Sequence, residues 1–349
     1  MMERDSNQSH SWDQIRTEAV ALYRQGRLRE YLVLSERNLW EAHRIGDTAR
    51  EAIACSDVGL AHSRLGETQK ALTCYEQAIE QFRTLKNHTR EAATLSNLAL
   101  LYAKMGQPRR ALLIHHQILV VRQATGDRLG QAITLNNLGF AYSACKQPDE
   151  ALKHFNQSLA IYRESAATPK ESVKRRLGEA STLNNIGSVY SDLNLLNQAL
   201  KFYRHALLIR QDLEDCVGEA VTLNNMAVLH NKLGQPNLAL LYYHQVLLQQ
   251  QSTGDRPGEA VTLSNMAAAY QKLKQPKLAL EHYNQSLLIR RDLQDLSGEV
   301  NILSNIGSIW ADLGHPDWAR SLYRQAHDIA ERTSNPSLID WVQHLIDNL

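Results

Sequence analysis

The feature that most constrains this chain is a short phrase that returns at a nearly fixed interval. Leu135-Asn136-Asn137-Leu138-Gly139 recurs as Leu183-Asn184-Asn185-Ile186-Gly187 and as Leu223-Asn224-Asn225-Met226-Ala227. Versions with serine in the second place run from Leu95 to Ala99, Leu263 to Ala267 and Leu303 to Gly307. The asparagines that anchor the phrase are Asn97, Asn137, Asn185, Asn225, Asn265 and Asn305, spaced 40, 48, 40, 40 and 40 residues apart. A weaker copy centres on Asp57, 40 residues before Asn97. A unit of this length cannot bury an apolar face alone, so the chain must fold as a stack of similar neighbours.

Each unit reads as two helices. The first carries a small residue (Gly59, Ala99, Gly139, Gly187, Ala227, Ala267, Gly307) and a ring three places on (His62, Tyr102, Tyr142, Tyr190, His230, Tyr270, Trp310). Glycines at 66, 106, 234 and 314 follow as turn residues, and Pro108, Pro148, Pro236, Pro276 and Pro316 open the second helix, where a missing N–H costs nothing. That helix holds an alanine (71, 111, 151, 199, 239, 279, 319) and, four residues later on the same face, a ring (75, 115, 155, 203, 243, 283, 323). Asp or Asn at 47, 87, 127, 215, 255 and 295 suit the N-caps of the next unit. Glu51, Glu91, Glu179, Glu219, Glu259 and Glu299 fall in the turn after them, where negative charge suits the helix dipole.

This order of small residue, ring, turn, alanine and ring resembles the tetratricopeptide repeat in its 40-residue form. The phrase Gly126-Asp127-Arg128 leading into Ala132, Thr134, Leu135, Asn136 and Asn137 is similar to repeats in kinesin light chains, spindle-orientation adaptors and bacterial signalling proteins. The resemblance implies an all-α fold: a right-handed α-solenoid of about eight helix–turn–helix repeats with a C-terminal capping helix. Lys146, Asn194 and Lys274 replace the turn glycine, so those turns are expected to be looser or differently shaped.

The expected organisation is a disordered polar lead over 1–10, a divergent helical repeat over 11–46, seven repeats over 47–335, and a capping helix over 336–349. In the divergent unit Tyr31 takes the alanine place and Ser35 the ring place, as suits a terminal repeat with one face in water. The 48-residue interval puts an insert near 164–176, containing Pro169, Lys170, Lys174, Arg175 and Arg176. It reads as a surface loop or a helix extension, or else as a hinge or a basic docking loop.

Composition narrows the function. A formal charge of +1, from 38 basic and 37 acidic residues, argues against a nucleic-acid binder. The N-terminal stretch lacks a signal-peptide pattern and no apolar run is long enough to span a membrane, so a cytoplasmic protein without membrane insertion is expected. Four cysteines are scattered without a C-x-x-C pair, and His115-His116, the only adjacent histidines, do not face one another on a helix. No phosphate-loop, dinucleotide, zinc-protease or nucleophile-elbow motif occurs. No enzyme activity, cofactor or metal is expected.

The asparagine row remains. Asparagine costs about 0.5 kcal/mol against alanine inside a helix, so six mid-helix copies need a tertiary or functional reason. The resemblance implies that this position lines the concave groove, where each amide offers a donor and an acceptor to the main chain of an extended ligand. The competing reading is an internal ladder tying helix to helix. Around the row the resemblance implies apolar or small groove positions (Leu100, Ile133, Phe140, Val221, Val228, Val261, Ala268) and cations at Arg64, Lys104, Lys232 and Lys272, with Asp192 and Asp312 in the matching place elsewhere. The candidate peptide-binding residues are thus the six asparagines with Lys104, Lys232 and Lys272. The expected ligand is a protein or peptide with apolar anchors and acidic residues or a free carboxylate. The function expected is a scaffold or adaptor; the alternative is a regulator gated by a bound peptide.

Overall fold

The computed structural model describes residues 2–164, 168–333 and 335–349, with side chains described from residue 12 onward. The described residues form helices and short turns, without a strand. They divide into two compact units, 1–182 and 183–349. Unit 1 contains α1 (Met2–Arg24), α2 (Leu28–Ile45), α3 (Thr48–Leu65), α4 (Thr68–Thr84), α5 (His88–Lys104), α6 (Pro108–Ala124), α7 (Arg128–Ala144), α8 (Pro148–Tyr162) and the start of α9 (Pro169–Asp192). Unit 2 contains the rest of α9, then α10 (Leu196–Asp212), α11 (Cys216–Lys232), α12 (Pro236–Thr253), α13 (Arg256–Lys272), α14 (Pro276–Asp292), α15 (Leu296–Asp312), α16 (Pro316–Arg332) and α17 (Pro336–Asp347). Within each unit consecutive helices pack pairwise, the arrangement of an α-solenoid. No described helix is long and apolar enough to cross a membrane.

The helix ends follow the sequence signals. Asp47, Asn87, Asp127, Asp215, Asp255 and Asp295 all accept backbone N–H bonds as N-caps. The five prolines sit in the first turn of α6, α8, α12, α14 and α16. The glutamate row has a role beyond the helix dipole. Arg83 reaches Glu91 at 2.7 Å, Gln211 reaches Glu219 at 2.9 Å and Arg291 reaches Glu299 at 2.6 Å, each joining the end of one repeat to the start of the next.

The turns at Lys146, Asn194 and Lys274 correct an expectation. Their φ values of 60°, 60° and 56° lie in the same left-handed region as Gly106 at 68° and Gly234 at 75°. The turn keeps its shape and the non-glycine residue bears the strain, because a backbone N–H there must still bond back into the helix it ends.

Inside each repeat the small residue of the first helix faces the ring of the second. A Cβ added at Gly139 would lie 2.6 Å from the Phe155 ring, and one at Gly307 would lie 2.5 Å from Tyr323. The close approach buries the large side chains: Tyr75, Phe155 and Tyr243 are fully enclosed. Each such side chain contributes roughly 1.5–3 kcal/mol by leaving water.

At the ends, α1 begins at Met2, ahead of the expected start at residue 11; neither proline nor glycine occurs before Gly26 to stop it. Tyr31 is buried in the alanine place of α2, and Trp12 Nε1 donates to the Asn38 carbonyl at 3.0 Å. Helix α17 packs through Val342, Leu338 and Ile339 onto the core formed by α14, α15 and α16. Part of the insert, residues 165–167, lies outside the described residues, while Pro169–Arg176 form the first two turns of α9, which runs 24 residues against 17 in α7 and α11. Arg175 turns inward, donating to the Ile161 carbonyl at 2.6 Å and to Glu171 at 2.8 Å.

Candidate functional site

The first helices of the repeats carry the asparagine row, and every one of its six members is half-buried. Their partners differ. In unit 2, Asn225 Nδ2 donates to Asn184 Oδ1 at 3.1 Å, and Asn265 Nδ2 donates to Asn224 Oδ1 at 3.2 Å. Both bonds join residues 41 apart, linking each first helix to the one before it. Asn185 is also engaged. Asn97, Asn137 and Asn305 have no side-chain hydrogen bond among the described residues.

One residue choice accounts for which asparagines are tied. The acceptor is the first member of the preceding Asn-Asn pair. Where that place holds Asn184 or Asn224, a bond forms. Behind Asn97, Asn137 and Asn305 it holds Ser56, Ser96 and Ser264. A serine hydroxyl is shorter than an amide and readily bonds its own helix. Ser96 Oγ donates to the Ala92 carbonyl of its own helix at 2.8 Å, whereas Ser56 Oγ meets Thr94 Oγ1 on α5 at 3.1 Å. Reading the second asparagine as a uniform row missed this; the signal was the alternation of Leu-Asn-Asn with Leu-Ser-Asn.

The cations divide in the same way. Lys232 donates to Ser191 Oγ at 3.1 Å and Lys272 to the Asn231 carbonyl at 2.7 Å, each again 41 residues back. Arg64 donates to Tyr23 Oη at 3.0 Å with its guanidinium 5.8 Å from the ring centre. Lys104 is exposed at the end of α5 and has no such partner among the described residues.

Where the asparagines are open, a cleft of about 590 Å³ lies among α5, α6 and α7. Asn97 and Asn137 both line it, with Leu100, Phe140 and Ala144 supplying apolar wall and His115 contributing from α6. Leu100 is 51% and Phe140 62% exposed, large values for apolar side chains beside a concavity. His115 holds the ring place that is Tyr or Phe in the other six units. It is buried, its Nδ1 has no hydrogen-bond partner, and burial, assisted by the charges of Arg122 and His116, pushes its pKa down to about 4. The imidazole is therefore neutral at ordinary pH, and that side of the cleft carries no charge.

Unit 2 has a cleft of about 540 Å³ among α11, α12 and α13, lined by Val217, Val221, Val261 and Gln250. Its asparagine, Asn224, is the acceptor already used by Asn265. His116, Tyr142 and His154 stack as a ring group with Tyr142 Oη 3.1 Å from His116 Nε2. Among the described residues the one set of potential metal-ligating atoms within 4.8 Å of each other is His327, Asp328 and Glu331, on the outside of α16.

Known structures share the fold at low sequence identity. The apo form of the quorum sensor NprR from B. thuringiensis superposes with a TM-score of 0.68 at 16% identity, over 95% of this chain and 100% of that one. Apo RapI gives 0.65 at 15% identity, over 82% and 99%. A Rap protein complexed with competence and sporulation factor gives 0.60 at 13% identity, over 93% and 98%. No curated protein matches the chain by sequence. The tetratricopeptide repeat family matches residues 50–119, 90–164, 178–248, 219–292 and 258–332 in overlapping blocks. With the repeat phrase, the caps, the helix pairs and these matches in agreement, the chain belongs to the tetratricopeptide repeat family.

Proposed function

We propose that this protein is a non-enzymatic interaction scaffold that holds an extended segment of a partner protein or peptide against the first helices of its repeats. The observation that carries this reading is the pair Asn97 and Asn137, two amides without internal partners facing one apolar cleft. An amide of this kind matches one donor and one acceptor of a peptide main chain, and unpaired polar groups beside apolar wall are what a binding site requires. Neighbouring helices packed about 8–10 Å apart set contact points that an extended peptide, advancing roughly 3.3 Å per residue, can meet. The near-neutral charge supports a protein partner over nucleic acid.

A pull-down from cell extract with the wild type and the Asn97→Ala/Asn137→Ala variant tests this, with circular dichroism as the folding control. Partners captured only by the wild type support the reading. Equal capture by both variants moves the contact surface away from the first helices.

The alternative function is a regulator gated by its ligand. The fold shared with a quorum sensor, and with a Rap protein solved in complex with competence and sporulation factor, supports it. Small-angle scattering with and without ligand separates the two: a scaffold keeps its radius of gyration, whereas a gated regulator changes it.

A further inference from the structure

The α5–α7 cleft has a neighbour of opposite character. A second concavity of about 500 Å³ adjoins it, and the two share Gly106, Pro108 and Ala144 in their linings. The second one is lined by Arg109 and Arg110 from the first turn of α6 and by Lys146 from the turn after α7. Arg109 and Lys146 have no ion-pair partner among the described residues. Arg110 rests its guanidinium 5.5 Å from the Tyr102 ring centre, which leaves its charge without an acid. Of the carboxylates at the start of α8, Glu150 is occupied by Lys153 at 3.0 Å, and Asp149 is the one left nearby.

We propose that these two concavities form one recognition site for an extended peptide carrying a bulky apolar side chain followed, one or two residues on, by an acidic side chain. The apolar side chain enters the cleft between Leu100 and Phe140. Asn97 and Asn137 hold the main chain on either side of it. The acidic side chain lies over Arg109, Arg110 and Lys146. Three observations support each part: open amides, exposed apolar wall beside a buried imidazole lacking a partner, and three uncompensated cations within the adjoining surface. One or two residues of extended chain span roughly 3–7 Å, a short step between two concavities that share Gly106, Pro108 and Ala144. The proposal rests on the peptide-binding reading above and assigns the site to unit 1, where two open asparagines line one cleft; Asn225 and Asn265 already donate to their neighbours, and Asn305 lines neither cleft described above.

The test is selection from a display library of random 12-residue peptides on the full chain, with the peptide C-terminus fused so that no free carboxylate is offered. Enriched peptides are expected to pair a Leu, Ile, Met, Phe or Trp with an Asp or Glu one or two places later. For the most enriched peptide, made with a fluorescent label and an amidated end, Phe140→Ser should weaken binding at least tenfold by anisotropy. Arg109→Glu with Lys146→Glu should weaken it at least tenfold and shift a repeated selection toward Lys and Arg. These three side chains are exposed, and an unchanged thermal melt confirms that each variant folds. Enrichment without an acidic position, or affinity indifferent to both variants while Asn97→Ala/Asn137→Ala still abolishes it, overturns the two-part site and leaves the peptide-binding reading standing. Affinity indifferent to all these variants overturns the assignment to unit 1. If no peptide is enriched, both readings fail.

Discussion

Asn137 and Asn265 occupy the same place in their repeats, on first helices of the same length and packed in the same way. Yet Asn265 donates to Asn224 across the repeat boundary, while Asn137 looks into a cleft with nothing to bond. The difference is not in the residue or its helix. It lies 41 positions upstream, where Asn265 has Asn224 behind it and Asn137 has Ser96. A row that reads as uniform is therefore two populations, one bonded across the repeat boundary and one without an internal partner. The lysines repeat the lesson: Lys232 and Lys272 are drawn onto the preceding helix, and Lys104 is not.

The largest effect that sharpens this contrast is a pH response centred on His115 in unit 1. His115 has its folded pKa pushed below its unfolded value, to about 4, so the unfolded chain binds the proton first as pH falls. Stability is thus complete above the unfolded value near 6.5 and is lost progressively down to about pH 4. The loss should approach about 3 kcal/mol, measured by denaturant unfolding followed by native-state hydrogen exchange in α5 and α6. His115→Phe should flatten that response, while the tyrosine places in unit 2, Tyr243 and Tyr283, contribute nothing in this window.

Next in size is removal of the ladder acceptors. Asn184→Ala with Asn224→Ala strands two half-buried donors and should cost about 2 kcal/mol, after allowance for the better helix propensity of alanine. Hydrogen exchange in α11 and α13 reads the loss. Asn97→Ala with Asn137→Ala, by contrast, should leave the melt unchanged or slightly raised. Equal destabilisation by the two pairs would erase the distinction between bonded and open asparagines.

Converting one population into the other is a smaller and sharper experiment. Ser96→Asn supplies the missing acceptor behind Asn137 and should add about 1 kcal/mol of stability while weakening peptide binding several-fold. Asn224→Ser should do the reverse to Asn265, freeing its amide. The smallest effect tests the turns: Lys274→Gly should stabilise unit 2 by about 0.5–1 kcal/mol, since glycine adopts positive φ without the Cβ penalty.

Much of this was legible in the sequence because the repeat supplies its own alignment. Six N-caps, five N1 prolines and the matched small and ring positions were readable as one pattern seen many times, and the helices follow it. What was not legible depended on partners in another repeat. Nothing in Lys146 or Asn194 alone says that its turn keeps the glycine shape; the tertiary stack holds the backbone and the side chain bears the cost. Arg175 reads as a surface cation in a basic stretch, but the lengthened α9 brings it against the Ile161 carbonyl. The row's division required comparing a residue with one 41 places earlier, a register set by how first helices stack rather than by the period of 40.

The serine-or-asparagine choice at 96, 184, 224 and 264 also has a genetic reading. Asparagine codons and one pair of serine codons differ by a single transition at the second base. One such change can close an adhesive position or open another one repeat along, without touching a cap, a turn or a core ring. Point substitutions of this kind can therefore shift which asparagine amides lie open along the stack. Under the proposed function, such a change moves the contact points for a partner along an otherwise unchanged stack.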